Sequence, residues 1–143
     1  MSTELQLQQV FANNFVAYFR AHVAHVNTQG RNFYSDHKLL GKIYEDLQSQ
    51  TDSLAELLRT VQEFMPTTLA SVVESSQITD QPCEGTADSL LEDVRADLLQ
   101  LKADHEELMD VAEADGHKEI ANYAQDRILT LAKYIWMLDS TLD

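Results

Sequence analysis

Five histidines and one acidic pair are the residues of this chain best suited to chemistry. His22 and His25 stand one helical turn apart in sequence, His37 follows them, and His105 and His117 are isolated. Asp52 and Glu56 are four residues apart, so on a helix their carboxylates project from neighbouring positions of one face. Imidazole nitrogens and carboxylate oxygens are ligands for divalent transition metals. Carboxylate-bridged di-metal sites are commonly built from Glu-x-x-His pairs on facing helices, yet no histidine here has a glutamate three residues before it. A metal site is therefore assembled some other way. Taken alone, the Asp52/Glu56 pair reads as a solvated polar face, with Glu56 in a surface ion pair to Arg59. To act on a metal it needs a symmetry partner that brings histidines to the same face. The single Cys83 has no histidine near it in sequence and reads as a surface-loop thiol.

These residues act together only if the rest of the chain defines elements that carry them. A length of 143 residues fits one domain, 1–143, and leaves little room for a second. With 44% hydrophobic and 24% charged residues, the composition is that of a globular chain rather than a disordered one. Only 4 Gly and 2 Pro are present, too few for the tight turns of a small sandwich or barrel. Long helices are the expected alternative.

Leu7, Phe11, Phe15 and Tyr18 recur in steps of three or four, which predicts a first helix over about 5–27. The same steps continue to His22 and His25, so both imidazoles are expected to follow the buried stripe. Gly30 breaks the pattern. Ser35 is the expected N-cap of a second helix, along which His37, Leu40, Tyr44, Leu47, Thr51, Leu54, Leu58 and Val61 form a seven-residue repeat ended by Pro66. Asp52 and Glu56 face away from this stripe. Residues 66–88 hold one short apolar stretch, Leu69 to Val73, and read as a long crossover with one or two helical turns. Such a crossover lets the third helix run parallel to the second. Leu91, Val94, Leu98, Leu101, His105, Leu108 and Ala112 mark that third helix, with Thr86 or Asp88 as its start and Gly116 as its stop. Ile120, Ala124, Ile128, Leu131, Ile135 and Leu138 mark a fourth. The fold class is therefore all-α: a ferritin-like four-helix bundle with a long crossover between helices two and three, in preference to a cytokine bundle with two.

Ten Lys plus Arg against 24 Asp plus Glu give a net charge of -14. A surface this acidic repels phosphate backbones and anionic lipid and favours cations. No apolar run approaches the length of a membrane span, and Met1-Ser2-Thr3-Glu4 lacks the regions of a signal peptide. A cytoplasmic location is expected, in keeping with a lone cysteine that has no internal disulfide partner.

At this point the chain resembles a known family. The run His25-Val26-Asn27-Thr28-Gln29-Gly30-Arg31-Asn32-Phe33, then His37, then Asp52-Ser53-Leu54-Ala55-Glu56 is similar, without gaps, to the His-Trp-Asn, Gly-x-Asn-Phe, His and Asp-x-x-x-Glu run of the Dps mini-ferritins. The ending Lys133-Tyr134-Ile135-Trp136-Met137-Leu138 resembles the family's last helix. The resemblance implies a hollow homododecamer of tetrahedral symmetry with an iron-oxidising site at each two-fold interface. By position, His25 and His37 come from one subunit and Asp52 and Glu56 from its neighbour, as both the catalytic and the metal-binding residues. Imidazole and carboxylate ligands suit Fe(II) while leaving open positions for an oxidant. The resemblance further implies hydrogen peroxide or dioxygen as that oxidant, and a ferric mineral stored inside the shell. The acids Asp104, Glu106, Glu107, Asp110, Glu113, Asp115 and Glu119 read as a solvated face, which in this family lies near pores on the three-fold axes.

Two departures from the family pattern stand out. Gly41 takes the place of an Asp one turn after the second histidine, and Val26 that of a Trp after the first. Asp36 points to another side of the helix, and Glu45 lies two turns beyond His37, so neither is an obvious substitute. An Asp at position 41 is expected to strengthen metal binding if the family geometry is preserved. His22 could extend the site or serve as a half-buried structural residue, and His105 reads as structural. The leading function is a ferroxidase and storage shell, and the alternative is a structural shell with weak or lost ferroxidase activity. DNA binding is disfavoured, because residues 1–9 contain no basic residue and twelve chains each carry -14.

Overall fold

The computed structural model describes residues 2–143. Five helices account for most of it: α1 Thr3–Asn27, α2 Phe33–Thr60, α3 Leu69–Ser75, α4 Ala87–Ala114 and α5 Lys118–Leu142. Three starts are closed by the expected chemistry. The hydroxyls of Ser2, Thr68 and Thr86 accept hydrogen bonds from the amides of Leu5, Ser71 and Ser89, taking up backbone donors that a helix cannot satisfy itself. Thr86 is thus the start of the helix predicted third. Ser35 is not the cap of α2. That helix begins three residues earlier, with Asn32 in the cap position, and the Ser35 hydroxyl donates back to the Asn32 carbonyl at 3.1 Å.

Contacts fix the helix directions. As α1 advances through Thr3, Asn13 and Arg20, its α4 partners recede through Asp115, Asp104 and Asp97, so the two helices are antiparallel. Asp46 and Gln50 of α2 meet Arg127 and Tyr123 of α5 in the same reversed order. The crossover 61–86, which contains α3, leaves α2 and α4 parallel, and the architecture is an all-α, ferritin-like bundle. Arg20 holds this crossover in place: its Nε donates to Asp97 Oδ2 at 2.7 Å and its Nη1 to the Gln81 carbonyl at 2.7 Å. Cys83 lies under the same segment. It is buried against Ile78, Leu90 and Leu91 rather than exposed in a surface loop, and burial pushes its thiol pKa up.

Two apolar clusters fill the bundle, one at each end. One gathers Val16, Ala17, Leu40, Ile43, Leu47, Leu98, Leu101 and Leu131; the other gathers Leu7, Phe11, Leu54, Leu58, Leu108 and Ile120. Each fully buried Leu or Phe among them contributes roughly 1.5–3 kcal/mol. Between the clusters, each long helix places polar side chains at one level: Asn13 and Asn14, Gln50 and Thr51, Asp104 and His105, and Arg127. Asn14 Nδ2 donates to the Leu47 carbonyl and to Thr51 Oγ1, and Asp104 accepts from Asn13 and Gln100. Arg127 makes a two-pronged ion pair with Asp46, its nearer nitrogen at 2.7 Å. This belt occupies the part of the bundle where facing helices could otherwise hold two metals, and its buried cation opposes such a use.

Candidate metal centre

The end of α1 and the start of α2 are held by a five-residue turn that includes Gly30, whose φ of 120° is open to glycine. This hairpin brings His25 against His37. The rings stack with centroids 3.8 Å apart and planes 14° apart. Each ring is also tied to the other's backbone: His25 Nδ1 lies 2.7 Å from the His37 carbonyl, and His37 Nδ1 lies 2.7 Å from the His25 carbonyl. A carbonyl can only accept, so both Nδ1 atoms carry a proton, and in the neutral form of each ring the lone pair is on Nε2. That is the tautomer a metal-binding histidine uses, with its second nitrogen already oriented by a carbonyl.

The histidines do not sit on the buried stripe of α1, as the spacing had suggested. The buried row is Leu7, Val10, Phe11, Asn14, Ala17, Ala21 and Ala24, while Phe15, Tyr18, His22 and His25 form a half-buried flank beside it. This flank packs along α2. His22 stacks on Tyr44 at 4.1 Å with planes 5° apart, and Tyr44 in turn lies 5.1 Å from His25. His105 is fully buried in the polar belt and His117 is half-buried at the start of α5, so neither belongs to this group.

Asp52 and Glu56 are exposed on α2. The expected ion pair between Glu56 and Arg59 does not form. Arg59 instead covers the Phe64 ring at 4.1 Å and donates to the Glu63 carbonyl, and neither acid has a cationic partner among the described residues. Asp52 borders a shallow groove with Phe15, Tyr18, Thr51, Ala55 and Met65. The acids begin fifteen residues beyond His37, roughly 22 Å along the helix axis. One ion cannot bridge the two pairs within a single chain, and the described residues contain no cluster of three or more metal-ligating side chains.

A family model described as a ferritin-like domain matches residues 4–143. The chain is 27% identical to the DNA protection during starvation protein of Helicobacter pylori over 143 residues, which cover 99% of both chains. It is 30% identical to antigen TpF1 of Treponema pallidum, covering 96% of this chain and 78% of that one. Among solved structures, a Dps protein from Bacillus brevis superposes with a TM-score of 0.92 at 26% identity, over 99% of this chain and 95% of the other. The chain belongs to the Dps family of ferritin-like proteins.

Gly41 gives this Dps chain its own geometry. A Cβ built there would lie 2.9 Å from His25 Cε1 and 3.1 Å from Nδ1, closer than side chains pack. The His25 ring therefore fills the space that an Asp at position 41 would need. A side chain at position 41 therefore requires the His25 ring to shift. The role of Tyr44 was not read from sequence, although the signal was available: it stands seven residues after His37 and faces the row Tyr18, His22, His25 once the helices form a hairpin. No helix of the described residues is long and apolar enough to cross a membrane.

Proposed function

We propose that the chain is a ferroxidase and iron-storage subunit. In this reading Fe(II) is the substrate, held by His25 and His37 of one subunit and by Asp52 and Glu56 of its two-fold neighbour. The electron passes to hydrogen peroxide or dioxygen, and the ferric product is kept inside a tetrahedral shell of twelve single-domain chains in the cytoplasm. The observation that carries the reading is the reciprocal hydrogen bonding of His25 and His37, which leaves a free Nε2 on each ring. Two neutral nitrogens set the ion's position, and two carboxylates offset the charge gained on oxidation. The exposed, unpaired state of Asp52 and Glu56 supports their use by a neighbouring chain.

Mixing the assembled protein with Fe(II) and then peroxide is expected to give ferric absorbance that stays with the shell on size exclusion. A ferric precipitate forming as fast as in buffer alone would contradict storage. The name of the Helicobacter pylori relative refers to DNA protection, and for this chain protection without duplex binding is the better reading. Its charge of -14 and the absence of a basic residue in 1–9 provide no cation cluster to release condensed counterions. A gel-shift titration at physiological salt, without divalent metal, is expected to show no complex. Micromolar binding would overturn this part of the reading.

A further inference from the structure

The outward face of α2 keeps its charges apart. Lys38, Lys42, Glu45, Ser49, Asp52 and Glu56 follow one another at alternating steps of four and three, and all six are exposed. That spacing makes one nearly straight seam, of the kind along which two helices pair. The lysines stand at one end of it and Asp52 and Glu56 at the other. None of these charged side chains joins an ion pair among the described residues, and Lys38 meets only the face of Tyr34, 5.2 Å away. Asp46, one turn beyond Lys42, is committed to Arg127.

The seam is complementary to its own reverse. Positions 38 and 56, 42 and 52, and 45 and 49 all have residue 47 as their midpoint. Two copies of α2 running antiparallel about a two-fold axis at that level bring each position opposite its mate, since both helices rise equally per residue. Lysine then faces carboxylate at both ends of the seam, and Ser49 can donate its hydroxyl to Glu45. Moving the axis to residue 45 or 49 sets Glu45 against itself or against Asp52, and like charges placed together are costly. His37 and Gly41 adjoin Lys38 and Lys42 on the helix, so acids that arrive at the lysines also arrive beside the histidine pair.

We propose that Lys42 and Lys38 are the counter-ions of the partner subunit's Asp52 and Glu56 until metal binds. The empty interface is then balanced in charge, and the acids are held in position before any ion arrives. On the ferroxidase reading above, on which this consequence rests, Fe(II) enters by displacing two ammonium groups. A monovalent ion carries no more charge than the ammonium it would replace, so the arrangement favours divalent cations.

Charge exchange on the full chain, with metal removed by chelation, tests the pairing. Light scattering along a urea series reads where the assembly dissociates, and circular dichroism reads whether the helices persist. Lys42→Asp alone and Asp52→Lys alone set like charges face to face, and each is expected to dissociate at lower urea than wild type. Lys42→Asp with Asp52→Lys restores the wild-type midpoint, whereas Lys42→Asp with Glu92→Lys, which repairs only the net charge, does not. Titration with Co(II) reads the displacement. Lys38→Gln with Lys42→Gln is expected to bind it about tenfold more tightly than wild type, the size of two exposed ion pairs. Arg31→Gln with Lys133→Gln, an equal loss of charge at exposed positions off the seam, leaves the affinity nearly unchanged. Equal urea midpoints in the two charge-exchange doubles, or equal tightening in the two glutamine doubles, would overturn the lysine pairs. Restored assembly in the exchange double, with no Co(II) bound by wild type, would uphold the pairs and remove the metal-site reading instead.

Discussion

Replacing Asp52 with Asn and Glu56 with Gln is expected to slow peroxide-dependent Fe(II) oxidation by about a hundredfold or more. Removing groups that only orient a metal ligand commonly costs about 10–100-fold in affinity or activity, and these two residues are proposed as ligands themselves. The amides keep the shape of the side chains and lose the charge that offsets the ferric state. Both positions are exposed and bonded to nothing else among the described residues, so the fold is expected to change by less than about 0.5 kcal/mol. A second acid-to-amide pair on α4, Asp88→Asn with Glu92→Gln, controls for the change in net charge. Light scattering confirms that the variants assemble alike before their rates are compared. Equal rates for the two double variants would mean that oxidation occurs elsewhere, and the structural-shell reading would then be the better one.

The largest effect on stability is expected in acid, at His105. Its side chain is 1% exposed, and its pKa is lowered from 6.5 to about 3, first by burial and then by the positive charge of Arg127. Its Nδ1 has no partner among the described residues. The folded state therefore keeps His105 neutral where the unfolded chain already binds a proton. Stability falls as pH drops from about 6.5, and the loss from this one residue reaches about 5 kcal/mol once the pH is below about 3. His105→Leu removes the titrating group and the unpartnered nitrogen together. Urea unfolding at fixed protein concentration should show a shallower loss between pH 6.5 and 3 in the variant, by close to one proton. Parallel stability curves would show that His105 takes up its proton in the native state.

Helix order, the long crossover and the outward face of Asp52 and Glu56 were all legible in the sequence, because apolar periodicity reports directly on which side of a helix is buried. The departures share a physical cause. Ser35, Arg59 and the stripe of α1 depend on competition between neighbours: Ser35 turns back to Asn32, Arg59 prefers the Phe64 ring, and small alanines let α1 pack closer than its aromatic row would allow. Cys83 is buried because Arg20 draws the crossover down onto α1, a long-range bond that leaves no local signal. Gly41 reads in sequence as a missing ligand. In the fold it is also the opening that lets His25 lie flat against His37, and only the hairpin geometry reveals this. The polar belt escaped notice for the same reason, since its members are spread over four helices and converge at one level only after folding.

In the proposed function one chain supplies the nitrogens and another the carboxylates of a single iron site. Crystals of the assembled protein soaked in Fe(II) under anaerobic conditions, with anomalous difference maps at the iron edge, test it most directly. The expected result is a peak bonded to His25 Nε2 and His37 Nε2 of one subunit and to Asp52 and Glu56 carboxylates of its two-fold neighbour. Iron bound only by acids at the junction of α4 and α5, with none beside the His25/His37 pair, would contradict it.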